Sequence, residues 1–594
     1  MSTAPFDPLE PDGGAARAAG RGTKTPGTAK DTHEALPVDR LLDLDLEAYV
    51  DDFNARVIGA YAAGTGSTAL PADAGVARSL IPAGTAALRD FSHLAPEIPE
   101  FIAARCVGCM TCVTECPDTA ILARAVPAAA VEAALAAENG DAADLAACWA
   151  RTRKYFDVPE KQGRPGALFG IFLDPTKCKG CAECVQVCAD LGYDALRMAP
   201  KTEAVLARHR RAFEHYRRVG PTPPEYVNAR ALADMMLVED RAQLYVGGAG
   251  SCMGCGEATA IRMLVAATGF AHGRESMGIV AATGCNTVYC STYPYNPFLV
   301  PWTNSLFENA PAVAMGVRGK WDQRGWQARR LWVIGGDGAM YDIGFQSLSR
   351  MLASGMDIKV LVLDTQVYSN TGGQVSTASF TAQDAKMAAV GPAVGGKVER
   401  RKELAQLCLM HPEVYVAQTT PAHVNHFYRA VLDANAYPGP AVIVAYTTCQ
   451  PEHGVGDDRS AAQARLAVTS RAFPLFTYDP RRGAAFHERL SLQGNPDPKE
   501  DWSRHPSSGA VIDFVAFART ERRFARQFDA AGAPSPALLA GQADRLANWR
   551  RLQDLAGVRR EAVEKSVTEE RHGSAGALAS QQGGPGGCPE APGF

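Results

Sequence analysis

A chain of 594 residues with 46% hydrophobic and 21% charged residues has the length for three or four domains and the composition of a soluble globular protein. Its net charge of −4 gives no electrostatic reason to expect nucleic acid, and no stretch approaches the roughly 18 consecutive apolar residues of a membrane span. The start lacks a basic segment followed by an apolar one, so a cytoplasmic location is expected, and sixteen cysteines in such a setting point to metal ligation or redox work.

Residues 1–45 are rich in Ala, Gly, Pro, Thr and charge without an apolar period, and disorder is expected there. Residues 46–97 form a linker segment of short helical and turn-rich pieces. Residues 98–200 hold two cysteine runs separated by an alanine-rich helical insertion, whose Cys148 is expected to pack rather than ligate. A helical linker follows at 201–240, and its basic run "RHRRAFEHYRR" is expected to be a solvated face.

From 241 to 455, short β-branched strands ("GIVAAT", "RRLWVIGG", "IKVLVLDT", "VYVAQ", "AVIVAY") alternate with helices, the pattern of an α/β domain built on a parallel sheet. Residues 456–571 are expected to form a mostly helical extension. The tail 572–594 is expected to be disordered, with Cys588 a bystander.

The runs "CVGCMTCVTECP" and "CKGCAECVQVC" both have C-x2-C-x2-C-x3-C spacing, the two-cluster bacterial ferredoxin pattern. In that pattern three closely spaced thiolates cap one cluster, and the fourth reaches the other. One [4Fe–4S] group is therefore expected on Cys106, Cys109, Cys112 and Cys188, and a second on Cys178, Cys181, Cys184 and Cys116. Zinc sites use separated pairs, which these triplets fit poorly. Ala189 stands where a proline usually follows such a run.

In "GGDGAMYDIGFQSLSRMLASGMDIKVLVLDTQVYSNTGGQ" (335–374) one strand ends at Gly335–Gly336 before Asp337 and Gly338. A second ends at Asp364–Thr365, with Asn370 in the next loop. A carboxylate and an amide oxygen from neighbouring strand ends suit Mg²⁺, which shares its shell with phosphates. The pattern points to a Mg²⁺–diphosphate anchor for thiamine diphosphate. A further pair, Cys252 and Cys255, has no partner pair nearby, and by itself such a pair also suits a thioredoxin-like dithiol.

With "YDIG", "LASG", "VYSNTGGQ" and "ATGC" in order, residues 80–530 resemble pyruvate:ferredoxin oxidoreductase and its 2-oxoacid:ferredoxin relatives. The resemblance implies a thiamine-binding domain joined to a ferredoxin-like one. It implies a cofactor site at Gly336, Asp337, Gly338, Thr365, Val367, Asn370, Thr283, Gly284 and Cys285. Mg²⁺ would lie on Asp337, Thr365, the Val367 carbonyl and Asn370, with Asn370 also facing the reacting carbon. A third [4Fe–4S] group would take Cys252, Cys255, Cys285 and Cys449, leaving Cys290 and Cys408 as packed thiols and His453 in a structural or hydrogen-bonding role.

The implied activity is oxidative decarboxylation of a 2-oxoacid, pyruvate first, with the acyl group passing to coenzyme A and electrons to ferredoxin or flavodoxin. 2-Oxoglutarate, branched-chain and aryl 2-oxoacids are the alternatives. Because the family's activating glutamate and its substrate-gripping residues lie in other domains, a separate subunit and a hetero-oligomer are expected. Two competing readings are an electron-transfer module without thiamine and a non-redox thiamine decarboxylase.

Overall fold

The computed structural model describes residues 46–71, 80–138, 142–388, 395–505 and 508–558. Both tails expected to be disordered, with Cys588, lie outside these. The chain divides after Leu80 into two compact units. The described part of the first is helical from Leu46 to Ala62, and Arg56 pairs with Asp52 one turn away at 3.0 Å.

The second unit begins with the cysteine-rich segment. Strand β1 (Glu97–Phe101) pairs antiparallel with β5 (Leu196–Pro200), from Glu97 opposite Pro200 to Phe101 opposite Leu196. Between them β2 (Ile121–Pro127), β3 (Trp149–Arg151) and β4 (Ala167–Leu173) form an antiparallel sheet in the order β2-β4-β3. The alanine-rich insertion is helical, at Ala128–Ala136 and Ala142–Ala146. The helix Glu203–Arg218 is capped by the Thr202 hydroxyl, which accepts from Val205 N at 3.3 Å, and buries Leu206, Ala212, His215 and Tyr216. Of the arginines in its basic run only Arg210, Arg217 and Arg218 are exposed, while Arg208 and Arg211 are half-buried against Glu100 and Asp144.

The remainder is organised by an eight-stranded sheet. Its strands are β6 (Met277–Ala282), β7 (Trp302–Ser305), β8 (Arg330–Gly336), β9 (Lys359–Asp364), β10 (Tyr415–Thr419), β11 (Ala441–Tyr446), β12 (Phe476–Tyr478) and β13 (Leu490–Ser491). The order is β13-β12-β10-β11-β9-β8-β6-β7. From β10 to β7 all pairings are parallel, and β12 and β13 add antiparallel at one edge. Every residue of β6, β9, β10 and β11 is buried, as expected of strands covered on both faces.

The five strands expected from the sequence are all present. Strands β12 and β13 come from the segment expected to be mostly helical, so the sheet runs past residue 455. The helix Gly256–His272, buried at every position from Gly256 to Gly269, packs between the sheet and the cysteine-rich segment. Glu183 ties that segment to the extension, because its carboxylate accepts from Ser460 N and Ala461 N at 2.9 Å each, at the start of the helix Ser460–Thr469. Among the described residues no helix is long and apolar enough to cross a membrane.

Candidate cofactor pocket and cysteine groups

Strands β11, β9, β8 and β6 are neighbours and parallel, so their carboxyl ends meet at one edge of the sheet. Asp337 leaves the end of β8 and is 1% exposed. Its Oδ1 accepts from Thr365 N at 3.3 Å and Thr365 Oγ1 at 3.1 Å, and its Oδ2 accepts from the Ser376 hydroxyl. Thr365 Oγ1 also lies 3.2 Å from the Val367 carbonyl and 2.6 Å from Ser369 Oγ. Gly338 turns the chain where a Cβ would stand 2.4 Å from the Tyr368 ring, so only glycine fits.

A small cavity opens here. All nine residues expected at the cofactor line it: Thr283, Gly284, Cys285, Gly336, Asp337, Gly338, Thr365, Val367 and Asn370. The Asn370 side chain hydrogen-bonds the Cys285 thiol. Burial, and then the nearby Asp364 carboxylate, push Asp337 up to about 8. Oxygen donors of three kinds around a carboxylate starved of positive charge suit a hard dication, so these residues could hold Mg²⁺ with a diphosphate.

The surrounding residues were not apparent beforehand. Glu257 lines the same cavity, is 5% exposed, has an Oε2 without a hydrogen-bond partner, and is raised to about 8 by burial and then by Asp337. Its signal was the one acid of a mostly apolar helix, in the first turn and two residues after Cys255. The Thr365 carbonyl is held by His453 Nε2 at 2.8 Å and Arg523 Nη1 at 3.4 Å, and Arg523 Nη2 donates to Gln366 Oε1 at 2.9 Å. His453 thus has a hydrogen-bonding role, on the loop after β9.

The cysteine runs share a backbone design. Gly108 and Met110 in the first have positive φ (73° and 68°), as do Gly180 and Ala182 at the same places in the second (75° and 65°). Such turns aim N–H groups inward at sulfur. Gly108 N donates to Cys106 Sγ at 3.4 Å, and Ala195 N to Cys188 Sγ at 3.2 Å. One cavity is lined by Cys106, Cys109, Cys112 and Cys188, and another by Cys178, Cys181, Cys184 and Cys116. The structure therefore brings each fourth cysteine to the other run's triplet.

After burial, Cys255 and Cys449 help raise Cys285, and Cys449 and the exposed Cys252 help raise Cys255. Burial drives most of these thiols upward, Cys106 to about 11, and Cys178 and Cys449 to about 12. Only a strongly cationic group would keep them as thiolates at neutral pH. Among the described residues no three His, Cys, Asp or Glu side chains close on one point as they would around a single metal ion. Cys290 and Cys408 are buried, Cys290 against the Tyr245 hydroxyl at 3.7 Å, and Cys148 contacts the Asp144 carbonyl at 3.8 Å.

The family model of the C-terminal TPP-binding domain of thiamine pyrophosphate enzymes matches residues 282–445, from the end of β6 to β11. The sheet and its pocket are therefore a thiamine-diphosphate-binding α/β domain, here joined to a cysteine-rich segment. The chain is 30% identical over 516 residues to a probable pyruvate-flavodoxin oxidoreductase of Escherichia coli K12, covering 75% of this chain and 41% of that protein. It is 27% identical to the pyruvate-flavodoxin oxidoreductase of Rhodospirillum rubrum (86% and 46%) and 28% identical to the pyruvate:ferredoxin oxidoreductase of Moorella thermoacetica (65% and 37%). The chain belongs to this pyruvate:flavodoxin/ferredoxin oxidoreductase family, and it spans less than half the length of these relatives.

Proposed function

We propose that the chain is the thiamine diphosphate and iron–sulfur part of a cytoplasmic 2-oxoacid oxidoreductase, with pyruvate the first substrate to test. The observation that carries the proposal is the position of Cys285. It lines the thiamine pocket, hydrogen-bonds Asn370, and stands beside the Cys255 and Cys449 thiols. A redox group there would adjoin the site where a 2-oxoacid loses carbon dioxide.

Asp337, Thr365, the Val367 carbonyl and Asn370 would hold Mg²⁺, and Gly336 and Gly338 would admit the diphosphate. The bound thiazolium supplies the electron sink that decarboxylation needs. The chain's own contribution is to fix that ring, to keep Asn370 beside Cys285, and to hold three [4Fe–4S] groups in sequence. Cys252, Cys255, Cys285 and Cys449 lie at the pocket. Cys116, Cys178, Cys181 and Cys184 come next, because Arg262, on the helix that begins after Cys255, hydrogen-bonds the Cys116 carbonyl. Cys106, Cys109, Cys112 and Cys188 are outermost, since Cys112 neighbours Cys184 and the exposed Val107 and Tyr193 border their cavity. Ferredoxin or flavodoxin would accept electrons there. Coenzyme A chemistry and the activating glutamate would come from a separate subunit in a hetero-oligomer.

The test is iron, sulfide and thiamine content of the anaerobically reconstituted chain, with EPR of the reduced protein. Three four-iron signals plus stoichiometric thiamine support the proposal. Two signals and no thiamine would leave a plain electron-transfer module. 2-Oxoacid-dependent dye reduction by the chain alone would remove the need for a partner.

A further inference from the structure

The helix that follows Cys255 presents Thr259 and Arg262 on the same face as that cysteine, at i+4 and i+7. This face meets the turn that carries Cys116. Thr259 Oγ1 donates to the Glu115 carbonyl at 3.4 Å, and Arg262 Nη1 donates to the carbonyls of Val113 (2.5 Å), Thr114 (3.3 Å) and Cys116 (3.1 Å). Arg262 is 2% exposed, and its other terminal nitrogen, Nη2, has no hydrogen-bond partner.

None of the ion pairs among the described residues includes this guanidinium. The nearby Lys179 and Asp118, each 3% exposed, compensate each other at 2.7 Å. Beyond the cost of its own burial, the neighbour that acts most strongly on Arg262 is Cys116. The buried Asp118 and Glu115 carboxylates also act on it, but Asp118 pairs with Lys179 and Glu115 faces Arg465 at 3.8 Å, so its charge is only partly compensated. An under-compensated buried charge is costly, and a guanidinium keeps its proton rather than escape that cost. An anion therefore belongs beside it. A four-iron group on four thiolates is negative in both of its common oxidation states and becomes more so on gaining an electron.

We infer that Arg262 is the buried countercharge of the iron–sulfur group on Cys116, Cys178, Cys181 and Cys184. It raises that group's reduction potential while fixing the turn that presents Cys116. This rests on the ligand reading given above. Arg262 touches no substrate and is a positioning residue of the relay, acting from the thiamine domain on the segment that precedes it.

The test compares wild type with Arg262→Gln and Arg262→Lys in the reconstituted full chain. The readouts are iron content, an EPR-monitored redox titration with dithionite as electron donor, and unfolding with and without clusters. For Arg262→Gln, one midpoint should move to more negative potential while the other two hold, and stability should fall further in the loaded protein than in the cluster-free one. Arg262→Lys keeps the charge and should keep the midpoint near wild type. Unchanged midpoints in Arg262→Gln, or equal losses of stability with and without clusters, would overturn the inference. So would a Lys variant whose midpoint falls as far as the Gln variant's, because the hydrogen bonds rather than the charge would then set it. If Cys116→Ala leaves the iron content of the wild type intact, the ligand reading itself fails, and the inference with it.

Discussion

Removing Arg401 tests the foundation of the thiamine pocket. Arg401 and Asp364 pair with both side chains fully buried. Arg401 also donates to the Tyr341 hydroxyl at 2.9 Å and to the Ala378 carbonyl, while Asp364 accepts from Tyr341 at 2.5 Å and from Gln366 Nε2 at 3.0 Å. Arg401→Met leaves a carboxylate buried without its cation, which costs about 3–5 kcal/mol. Asp364→Leu leaves the guanidinium with only the Glu403 carboxylate, 3.7 Å away and shared with Arg545, at a cost of up to that size. In the double variant neither charge of the pair is left and Glu403 keeps Arg545 at 2.7 Å, so the unpaired Tyr341, Gln366 and Ala378 groups dominate, each at about 1–3 kcal/mol and partly relieved by rearrangement. The double variant should therefore lose less stability than the two single losses added, with a coupling of several kcal/mol. Urea denaturation of the cofactor-free protein, followed by tryptophan fluorescence, measures all four corners of this cycle. Because Asp364 directly precedes Thr365, Arg401→Met should also weaken Mg²⁺–thiamine diphosphate binding. A single-variant cost below about 1 kcal/mol, or costs that simply add, would refute this account of the ion pair.

Asp337→Ala should raise the dissociation constant for thiamine diphosphate in Mg²⁺ at least about tenfold by calorimetry, since even groups that only support a metal ligand are worth that much; unchanged affinity would place the Mg²⁺ elsewhere. Cys285→Ala should lower the iron content by about four atoms per chain and spare the two ferredoxin-type signals. Full iron content would detach this cysteine from the third group. Burial lowers the pKa of Lys359 from 10.5 to about 8, so the unfolded chain binds more protons between those values. Stability relative to Lys359→Met should rise with pH across that window, by about 3 kcal/mol at most, and a pH-independent difference would refute the assignment.

The expectations that held rest on local signals. Continuous β-branched runs such as "IKVLVLDT" and "AVIVAY" announce strands buried on both faces, and the spacing of each cysteine run announces a triplet on one loop with a fourth thiol set apart. Strands β7, β12 and β13 gave no such signal, because "WTNS", "FTY" and "LS" are too short for a period. What escaped around the site is long-range. Arg523 reaches Thr365 across 158 positions, and Arg262 reaches Cys116 across 146. An arginine alone does not say which carbonyl it will meet. Glu257 and Arg262 both stand in one mostly apolar helix, and neither charge says by itself which cavity or turn it will face.

Where β12 and β13 lie bears on how the protein is handled at the bench. The unit that folds is larger than the stretch 282–445 that the family model matches. A fragment ending soon after β11 would leave β10 with a bare edge of unpaired N–H and C=O groups, open to another copy of itself. It would also lack Arg523 and Glu521, the second of which accepts from the Tyr446 hydroxyl at 3.1 Å. Such a fragment should aggregate on expression, whereas one that runs on through Leu555 should remain soluble.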